Sequence, residues 1–443
     1  MADNSAGPTV TLLASAIVGA LTGVLCSIMR MLIGLLERLR FDWLMAHDWT
    51  STILMILTSG LLSSVAVFLV FKFAPETKGS GIPEVEGCIE DVRSARWWRI
   101  IPVKLVGSIC AVSSAMVLGH GGPSVQIGAG TGQMVHDLFH LRNKGTQHIL
   151  MVCGTAAGMA SAFNAPMAGI MFVVAEEMLP NFHYSFVSFK AVIIATITAI
   201  ITSQLLQGNR PVLSVPSLDD APFSVIPILI ILGTLSGAAG VLFNHAIMIT
   251  RHAFVLMHHN EPVSYLSLIA CLGGGVGLLL SVFPAVVLDG SALLIDLTHD
   301  AFSLTTLMTW FFLRFVTTLL CFGCGAPGGM MMPALALGGL MGCIMAGACQ
   351  SLVSVEPATL CLAGMAAFFA ATVRAPITAI LLVMEITLDY NLLLPLLITT
   401  MSAVIVAQSM GGGPIDHWLL QQTQALEQAI EERKTGERKT GNR

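Results

Sequence analysis

The sequence predicts an all-α membrane protein assembled from two related halves, in which several helices are interrupted. Only 11% of the 443 residues are charged and 55% are hydrophobic, whereas a soluble domain carries about 25% charged residues. Apolar stretches of the roughly 18 residues that a membrane span requires recur along the chain, and others are broken by glycine and proline. They include residues 9–28, 52–73, 223–243, 265–288 and 391–407. This composition excludes a water-soluble surface.

An internal repeat divides the chain into two halves. Eight residues of the first half recur 210 residues later, without a gap. The pairs are Gly119 and Gly329, Pro123 and Pro333, Gly128 and Gly338, Gly132 and Gly342, Gly154 and Gly364, Ala165 and Ala375, Pro166 and Pro376, and Ile170 and Ile380. We therefore predict an N-terminal segment 1–8, a first membrane repeat 9–215, a second membrane repeat 216–425 and a polar cytoplasmic tail 426–443. Repeats with interrupted helices are typical of transporters that bind their substrate between the two halves.

The distribution of basic residues indicates the cytoplasmic side. Arg93, Arg96, Arg99 and Lys104 form one basic group, and residues 433–443 form another, as the positive-inside tendency predicts for cytoplasmic segments. The first eight residues contain no basic residue before the first apolar run, so we predict no cleavable signal peptide. Size and composition favour a multi-pass protein of the bacterial inner (plasma) membrane.

The motifs give no indication of an enzyme, a metal site or a cofactor. The ten cysteines are scattered, and the C-x-x-C of Cys321 and Cys324 lies in an apolar stretch without a second pair, which indicates small buried side chains rather than ligands. No H-E-x-x-H spacing and no nucleophile with a neighbouring base is present in the sequence. We predict no nucleic-acid partner, although the net charge of −5 says little about partners.

Three segments rich in glycine and proline precede apolar runs of helix length. Glycine permits tight turns and proline suits the first turn of a helix. The unpaired amides of a helix start carry partial positive charge, and several such starts converging within a membrane form an anion site. The alternative is that the glycines only allow close helix packing; three segments, two of them related by the repeat, favour the anion site. They are G-S-G-I-P-E-V-E-G (79–87), G-H-G-G-P-S-V-Q-I-G (119–128) and G-A-P-G-G-M-M-M-P-A-L-A-L-G (325–338).

These segments resemble the signature motifs of the CLC family of chloride channels and chloride/proton exchangers, which read G-S-G-I-P, G-R/K-E-G-P and G-x-F-x-P. The resemblance continues through residues 154–166 and the R-A-P-I-T at Arg374, and it covers nearly the whole chain. It implies two inverted-topology repeats of tilted and broken transmembrane helices. It also implies a homodimer in the lipid bilayer, with one anion pathway in each subunit.

The resemblance further implies which residues bind chloride. Ser80 matches the serine whose hydroxyl coordinates the ion, and it is associated with chloride rather than nitrate or fluoride. Met330 and Met331 match the pair whose backbone amides complete the site. Gly121 occupies the position of the family's gating glutamate, which plugs the outer end of the path and carries the proton in exchangers.

The second segment departs from the family pattern around Gly121. Glycine has no side chain that occludes an anion path and nothing to protonate. We therefore include His120 and Gly122 as pathway or gating candidates. His120 titrates near neutral pH when unperturbed, and we predict that it shapes the field of the outer pathway; the alternative is that it replaces the glutamate as proton carrier.

Three acidic residues complete the set of candidates. Glu176 and Glu177 resemble the acidic pair where exchangers take up protons, although an acidic helix end facing the cytoplasm explains them equally. Asp416 stands where the family has a tyrosine that closes the inner side of the chloride site. A cap on a helix beginning at His417, with the carboxylate pointing aside, is the interpretation that we favour for Asp416.

Taken together, the sequence predicts passive chloride transport that is uncoupled from protons, because Gly121 replaces the gating glutamate and Asp416 replaces the tyrosine. The pathway would admit chloride and other small anions. The alternative is chloride/proton exchange through a substitute proton relay among Glu176, Glu177, His120 and Asp416. An intramembrane enzyme is disfavoured, since no catalytic constellation is present.

Overall fold

The computed structural model shows a chain built of helices. It describes residues 7–46, 48–141, 143–176, 185–209, 211–216, 218, 222–260, 262–350 and 356–440. Within these residues, seven helices are long and apolar enough to cross a membrane, and three further apolar helices have only 10–17 residues. The predicted mixture of complete and broken membrane helices is therefore confirmed.

The described residues of the first half form eight α-helices. They are α1 Pro8–Ala46, α2 Trp49–Phe73, α3 Ile82–Ile89, α4 Trp97–Ser113, α5 Gly121–Leu138, α6 Lys144–Phe163, α7 Pro166–Met171 and α8 Phe186–Gln207. A 3₁₀ turn, Pro75–Thr77, lies between α2 and α3, and a π-helical turn, Phe172–Glu176, follows α7.

In the second half, the part of the chain that the structure describes forms nine α-helices. They are α9 Ile226–Asn260, α10 Pro262–Val282, α11 Ser291–His299, α12 Leu304–Gly323, α13 Met331–Cys349, α14 Pro357–Val373, α15 Pro376–Thr387, α16 Leu393–Ser409 and α17 Ile415–Thr440. Two 3₁₀ turns, Phe223–Val225 and Pro284–Val286, precede α9 and follow α10.

Proline and residues with positive φ determine where several broken helices begin and end. Proline stands in the first turn of α3, α7, α14 and α15, where its missing N–H costs no hydrogen bond. Asn164 ends α6 with φ 50°, and Arg374 ends α14 with φ 69°. Since these two residues are 210 positions apart, the two halves end equivalent helices in the same way.

The two halves pack as related units. A Cβ on Gly132 would overlap the carbonyl oxygen of Leu150, and a Cβ on Gly342 would overlap that of Leu360. The same close approach therefore joins α5 to α6 and α13 to α14. The prediction of two inverted repeats is confirmed, whereas the exact limits 9–215 and 216–425 stay a prediction.

The halves meet at equivalent residues. Gly119 and Gly329 form an antiparallel bridge in which each N–H donates to the other's carbonyl oxygen at 2.7 Å. Such a reciprocal pair of equivalent residues is expected next to an approximate twofold axis between inverted repeats. The bridge places the turns before α5 and α13 side by side in the buried interior.

Candidate functional site

The three glycine-rich segments come together in space. Gly328 N donates to Gly79 O at 3.0 Å, which joins the third segment to the first. The Gly119–Gly329 bridge joins the second segment to the third. Each segment leads directly into a helix, α3, α5 or α13, so three helix starts share one region.

Glycine is required where the first two segments touch. A Cβ on Gly122 would lie 2.8 Å from Ser80 Cβ and 2.9 Å from Ser80 O, which is closer than real Cβ contacts. Gly81, just before α3, has φ 85°, in the left-handed region that glycine adopts at no steric cost. Glycine at these two positions lets the start of α5 reach the Ser80 turn.

The helix starts present amides without intrahelical acceptors. The first intrahelical bonds run from Ser124 N to His120 O at 3.0 Å in α5, and from Ala334 N to Met330 O at 2.9 Å in α13. The amides that precede them, Gly121 among them, have no carbonyl one turn back. Met330 and Met331 are 3% and 2% exposed, so their amides lie in a medium where hydrogen-bond partners are scarce.

Met331→Leu is expected to change chloride affinity by less than about threefold. The substitution conserves volume, and such core exchanges usually cost under 1.5 kcal/mol, while the backbone amide is unchanged. Chloride titration of the purified protein by calorimetry measures the effect. A loss of binding would show that the thioether, rather than the amide, contacts the ion.

The Ser80 hydroxyl contacts a carboxyl group. Ser80 Oγ lies 3.3 Å from Asp416 Oδ1 and accepts a bond from Ile82 N at 3.3 Å. Ser80 is 3% exposed and Asp416 is 1% exposed. The expectation that Asp416 caps a helix and points aside is wrong, because α17 already begins at Ile415 and the Asp416 side chain faces Ser80.

The turn before α17 is held by the second half of the chain. Arg374 Nη2 donates to Gly412 O at 2.6 Å. Asn244 Nδ2, on α9, donates to Gly413 O at 3.3 Å and to Thr372 O at 2.9 Å. These bonds hold the turn that leads into α17, the helix that carries Asp416.

A cavity of about 390 Å³ opens onto Ser80. Its lining includes the basic residues Lys78, Arg93 and Arg251. Arg93 pairs with Glu427 at 2.8 Å and Glu84 at 3.6 Å. The lining also contains Glu76, Glu84 and Glu427, so basic and acidic residues are present in equal number among the described residues around the opening to Ser80.

Sequence reasoning missed Lys78 and Arg251 and misplaced Lys104. Lys78 stands two residues before Ser80, which was a readable signal, whereas nothing near Arg251 in the sequence indicates the site. Lys104 is not a surface charge of a cytoplasmic loop; it is fully buried, and its Nζ donates to Thr77 O at 2.9 Å and Gly79 O at 2.7 Å. It therefore holds the turn that carries Ser80.

The position of the family's gating glutamate is not an open gap. A Cβ on Gly121 would lie 2.7 Å from Phe163 Cζ and 3.2 Å from Met331 Sδ. The neighbouring His120 is half-buried, with its Nε2 3.0 Å from Ala162 O and its ring 6.0 Å from the Phe163 ring. The absent side chain therefore leaves no wide passage, since Phe163 and Met331 occupy the adjoining space.

The structure does not describe the side chains of the acidic pair that was predicted for proton entry. The side chain of Glu176, whose backbone ends the π-helical turn, and all of Glu177 lie outside the described residues.

The chain is similar to known exchangers over most of its length. It is 44% identical over 425 residues to the H(+)/Cl(−) exchange transporter ClcA of Vibrio parahaemolyticus, covering 94% of this chain and 90% of that protein. It is 41% identical over 435 residues to the protein of the same name from Yersinia pseudotuberculosis, covering 95% and 89%. The crystal structure of a slow cyanobacterial Cl⁻/H⁺ antiporter matches with a TM-score of 0.87 and 33% identity, covering 94% of this chain and 98% of that one.

These relatives overturn the prediction of passive, uncoupled chloride flow, because they are named exchangers and antiporters. The prediction rested on the loss of two side chains from the pathway. The structure shows why that argument is weak: packing fills the space beside Gly121, and Asp416 places a titratable group on the Ser80 hydroxyl.

The family assignment rests on the whole fold and on its motifs. A protein family described as "Voltage gated chloride channel" matches residues 62–408. The apolar helices and the relatives make the chain a multi-pass protein of the inner (plasma) membrane. The three converging helix starts, the inverted repeats and these matches lead to one conclusion: the chain belongs to the CLC family of voltage-gated chloride channels and chloride/proton exchangers.

Proposed function

We propose that this chain exchanges chloride for protons across the membrane. The observation that carries the proposal is the 3.3 Å contact between Asp416 Oδ1 and Ser80 Oγ. It supports exchange because a titratable carboxyl group lies next to a hydroxyl of the proposed anion site. The exchange named for its relatives supports the same function. Asp416 provides a substitute for the carboxyl group that is missing at Gly121.

The proposed chloride site consists of hydrogen-bond donors without a full positive charge. The Ser80 hydroxyl and the amides of Gly121, Met330 and Met331 replace part of the ion's hydration, and weak binding of this kind permits release. Lys78 and Arg251 line the adjoining cavity together with acidic residues. The same donors also bind other small monovalent anions. Transport requires no cofactor.

The proposal includes a homodimer with one pathway in each subunit, as the family resemblance implies. We expect the purified protein in detergent to have twice the 46.9 kDa mass of one chain. Sedimentation with correction for bound detergent measures this mass. A monomeric mass would contradict the dimer and leave the transport proposal intact, because each subunit contains its own site.

The transport proposal is tested with proteoliposomes loaded with chloride and diluted into low-chloride buffer of the same pH. Valinomycin and potassium remove the membrane voltage, while electrodes record external chloride and external pH. We expect chloride efflux to drive proton entry, so that the external pH rises although no proton gradient was imposed. A protonophore should then return the pH to its starting value.

Protein-free vesicles serve as the control for leakage. Chloride efflux through the protein with no change in external pH, before and after the protonophore, would contradict exchange. Replacing chloride inside by a large impermeant anion should abolish the pH change, because the chloride gradient is its only source of free energy.

A further inference from the structure

The Ser80 hydroxyl has two competing acceptors. A serine hydroxyl has a single hydrogen to donate, and in this structure the acceptor within reach is Asp416 Oδ1 at 3.3 Å. A chloride ion coordinated by Ser80 would need the same hydrogen. The carboxylate and the ion therefore exclude one another from this donor.

Charge makes the competition depend on protonation. An ionised carboxylate a few ångströms from chloride repels it, and the repulsion is strong in a site that is 1–3% exposed. A protonated carboxyl group is neutral, and it offers its own O–H to the ion. Chloride binding at Ser80 and proton binding at Asp416 consequently favour one another.

The charged groups around Asp416 come from each element packed on α17. On α9, Arg251 interacts electrostatically with Asp416 and donates to Thr423 Oγ1 at 2.7 Å. From α3, Glu86 Oε1 lies 2.8 Å from His417 Nδ1. Glu84, also on α3, pairs with Arg93, and Arg374 at the end of α14 binds Gly412 O.

Among these charged groups, Asp416 is the carboxyl group that the Ser80 hydroxyl contacts. Arg251 is bound to the backbone and side chain of α17, and Arg93 is shared between two other carboxylates. Ser80 Oγ is a donor to Asp416 Oδ1, at 3.3 Å.

We propose that Asp416 is the proton-carrying residue of this exchanger, and that its carboxylate and chloride alternate on the Ser80 hydroxyl. In one state of the proposed cycle, Asp416 is ionised and accepts the Ser80 bond. Asp416 takes up one proton from the side towards which chloride moves and becomes neutral, and Ser80 turns to chloride. Once chloride has left to that side, Asp416 releases the same proton to the opposite side. This inference rests on the proposed function and names the residue that performs it.

Calorimetry of chloride binding tests the proton linkage without transport. Chloride is titrated into the purified full-length protein in buffers of different ionisation enthalpy, which gives the number of protons taken up per ion. We expect proton uptake in the wild type, with chloride affinity falling by up to about tenfold per pH unit once the carboxyl is ionised. Asp416→Asn, a neutral isostere, should bind chloride without proton uptake and without this pH dependence.

Flux measurements separate the two proposals. In the proteoliposome assay, Asp416→Asn should retain chloride efflux and lose the rise in external pH. If wild type and Asp416→Asn pump protons equally, the inference fails and exchange stands. If the wild type pumps no protons, the proposed function fails. Loss of chloride binding in a folded Asp416→Asn protein would also overturn the inference, because an amide does not repel the ion.

Two further variants complete the test. Asp289→Asn removes a carboxylate that lies next to the start of α11, where Asp289 Oδ1 accepts from Ser291 N at 2.9 Å; we expect it to keep both binding and coupling. Asp416→Glu retains the carboxyl group and should keep proton uptake on chloride binding. Absence of that uptake in folded Asp416→Glu, or loss of coupling in Asp289→Asn, would count against Asp416 as the carrier.

Discussion

Replacing Gly122 with alanine is expected to weaken chloride binding by at least about tenfold, equivalent to about 1.4 kcal/mol. The new Cβ would lie 2.8 Å from Ser80 Cβ and 2.9 Å from Ser80 O, whereas favourable contacts need about 3.5–4.0 Å. The Ser80 oxygen belongs to the backbone and cannot rotate away. The start of α5 must therefore move relative to Ser80, beyond the roughly 0.5 Å within which a binding constellation works.

Gly347→Ala provides the matched control for this substitution. Gly347 lies in α13, and a Cβ there would meet Leu304 Cδ1 at 3.8 Å, an ordinary contact. We expect unchanged chloride affinity and a small gain in thermal stability, because alanine favours helix over glycine by up to about 1 kcal/mol. Equal chloride affinities of Gly122→Ala and wild type in calorimetry would refute the convergence of α5 with the Ser80 turn.

Lys104→Met is expected to lower the free energy of unfolding by about 2 kcal/mol and chloride affinity by about tenfold. The buried Nζ of Lys104 donates to Thr77 O and Gly79 O, and each such hydrogen bond contributes about 0.5–1.5 kcal/mol. Relief from burying a polar group offsets part of the loss. Because Gly79 O also accepts from Gly328 N, losing Lys104 loosens the junction between the first and third segments.

Arg314→Met separates stability from anion binding. Arg314 lies 210 residues after Lys104, is fully buried, and donates to the carbonyl oxygens of Ala285, Val287 and Leu288. We expect a similar drop in the unfolding temperature in detergent but chloride affinity within about twofold of wild type. If both variants lose stability and neither loses affinity, Lys104 has no part in positioning the site.

The local backbone conformation could be predicted from the sequence, because glycine and proline determine the φ angles available at their own positions. The turns before α3, α5 and α13 follow from residues within a few positions of each turn, and so does the repeat that relates two of them. The residues Ser80, Gly121, Met330 and Met331 were instead assigned from the resemblance of these segments to the CLC motifs. Their role in chloride binding stays a prediction, now with a geometry that agrees with it.

The sequence alone therefore determined the membrane environment, the two repeated halves and the helix starts that form the candidate site. Only the tertiary structure decided which side chains surround the candidate site. Phe163 closes the space beside Gly121, and Lys104 holds the Ser80 turn. Asp416 contacts Ser80, although 336 positions separate them in the chain. Such contacts depend on the packing of distant helices, which no local pattern encodes. For that reason the composition of the pathway indicated an uncoupled pore, while the fold brings a titratable carboxyl group to the ion-binding hydroxyl.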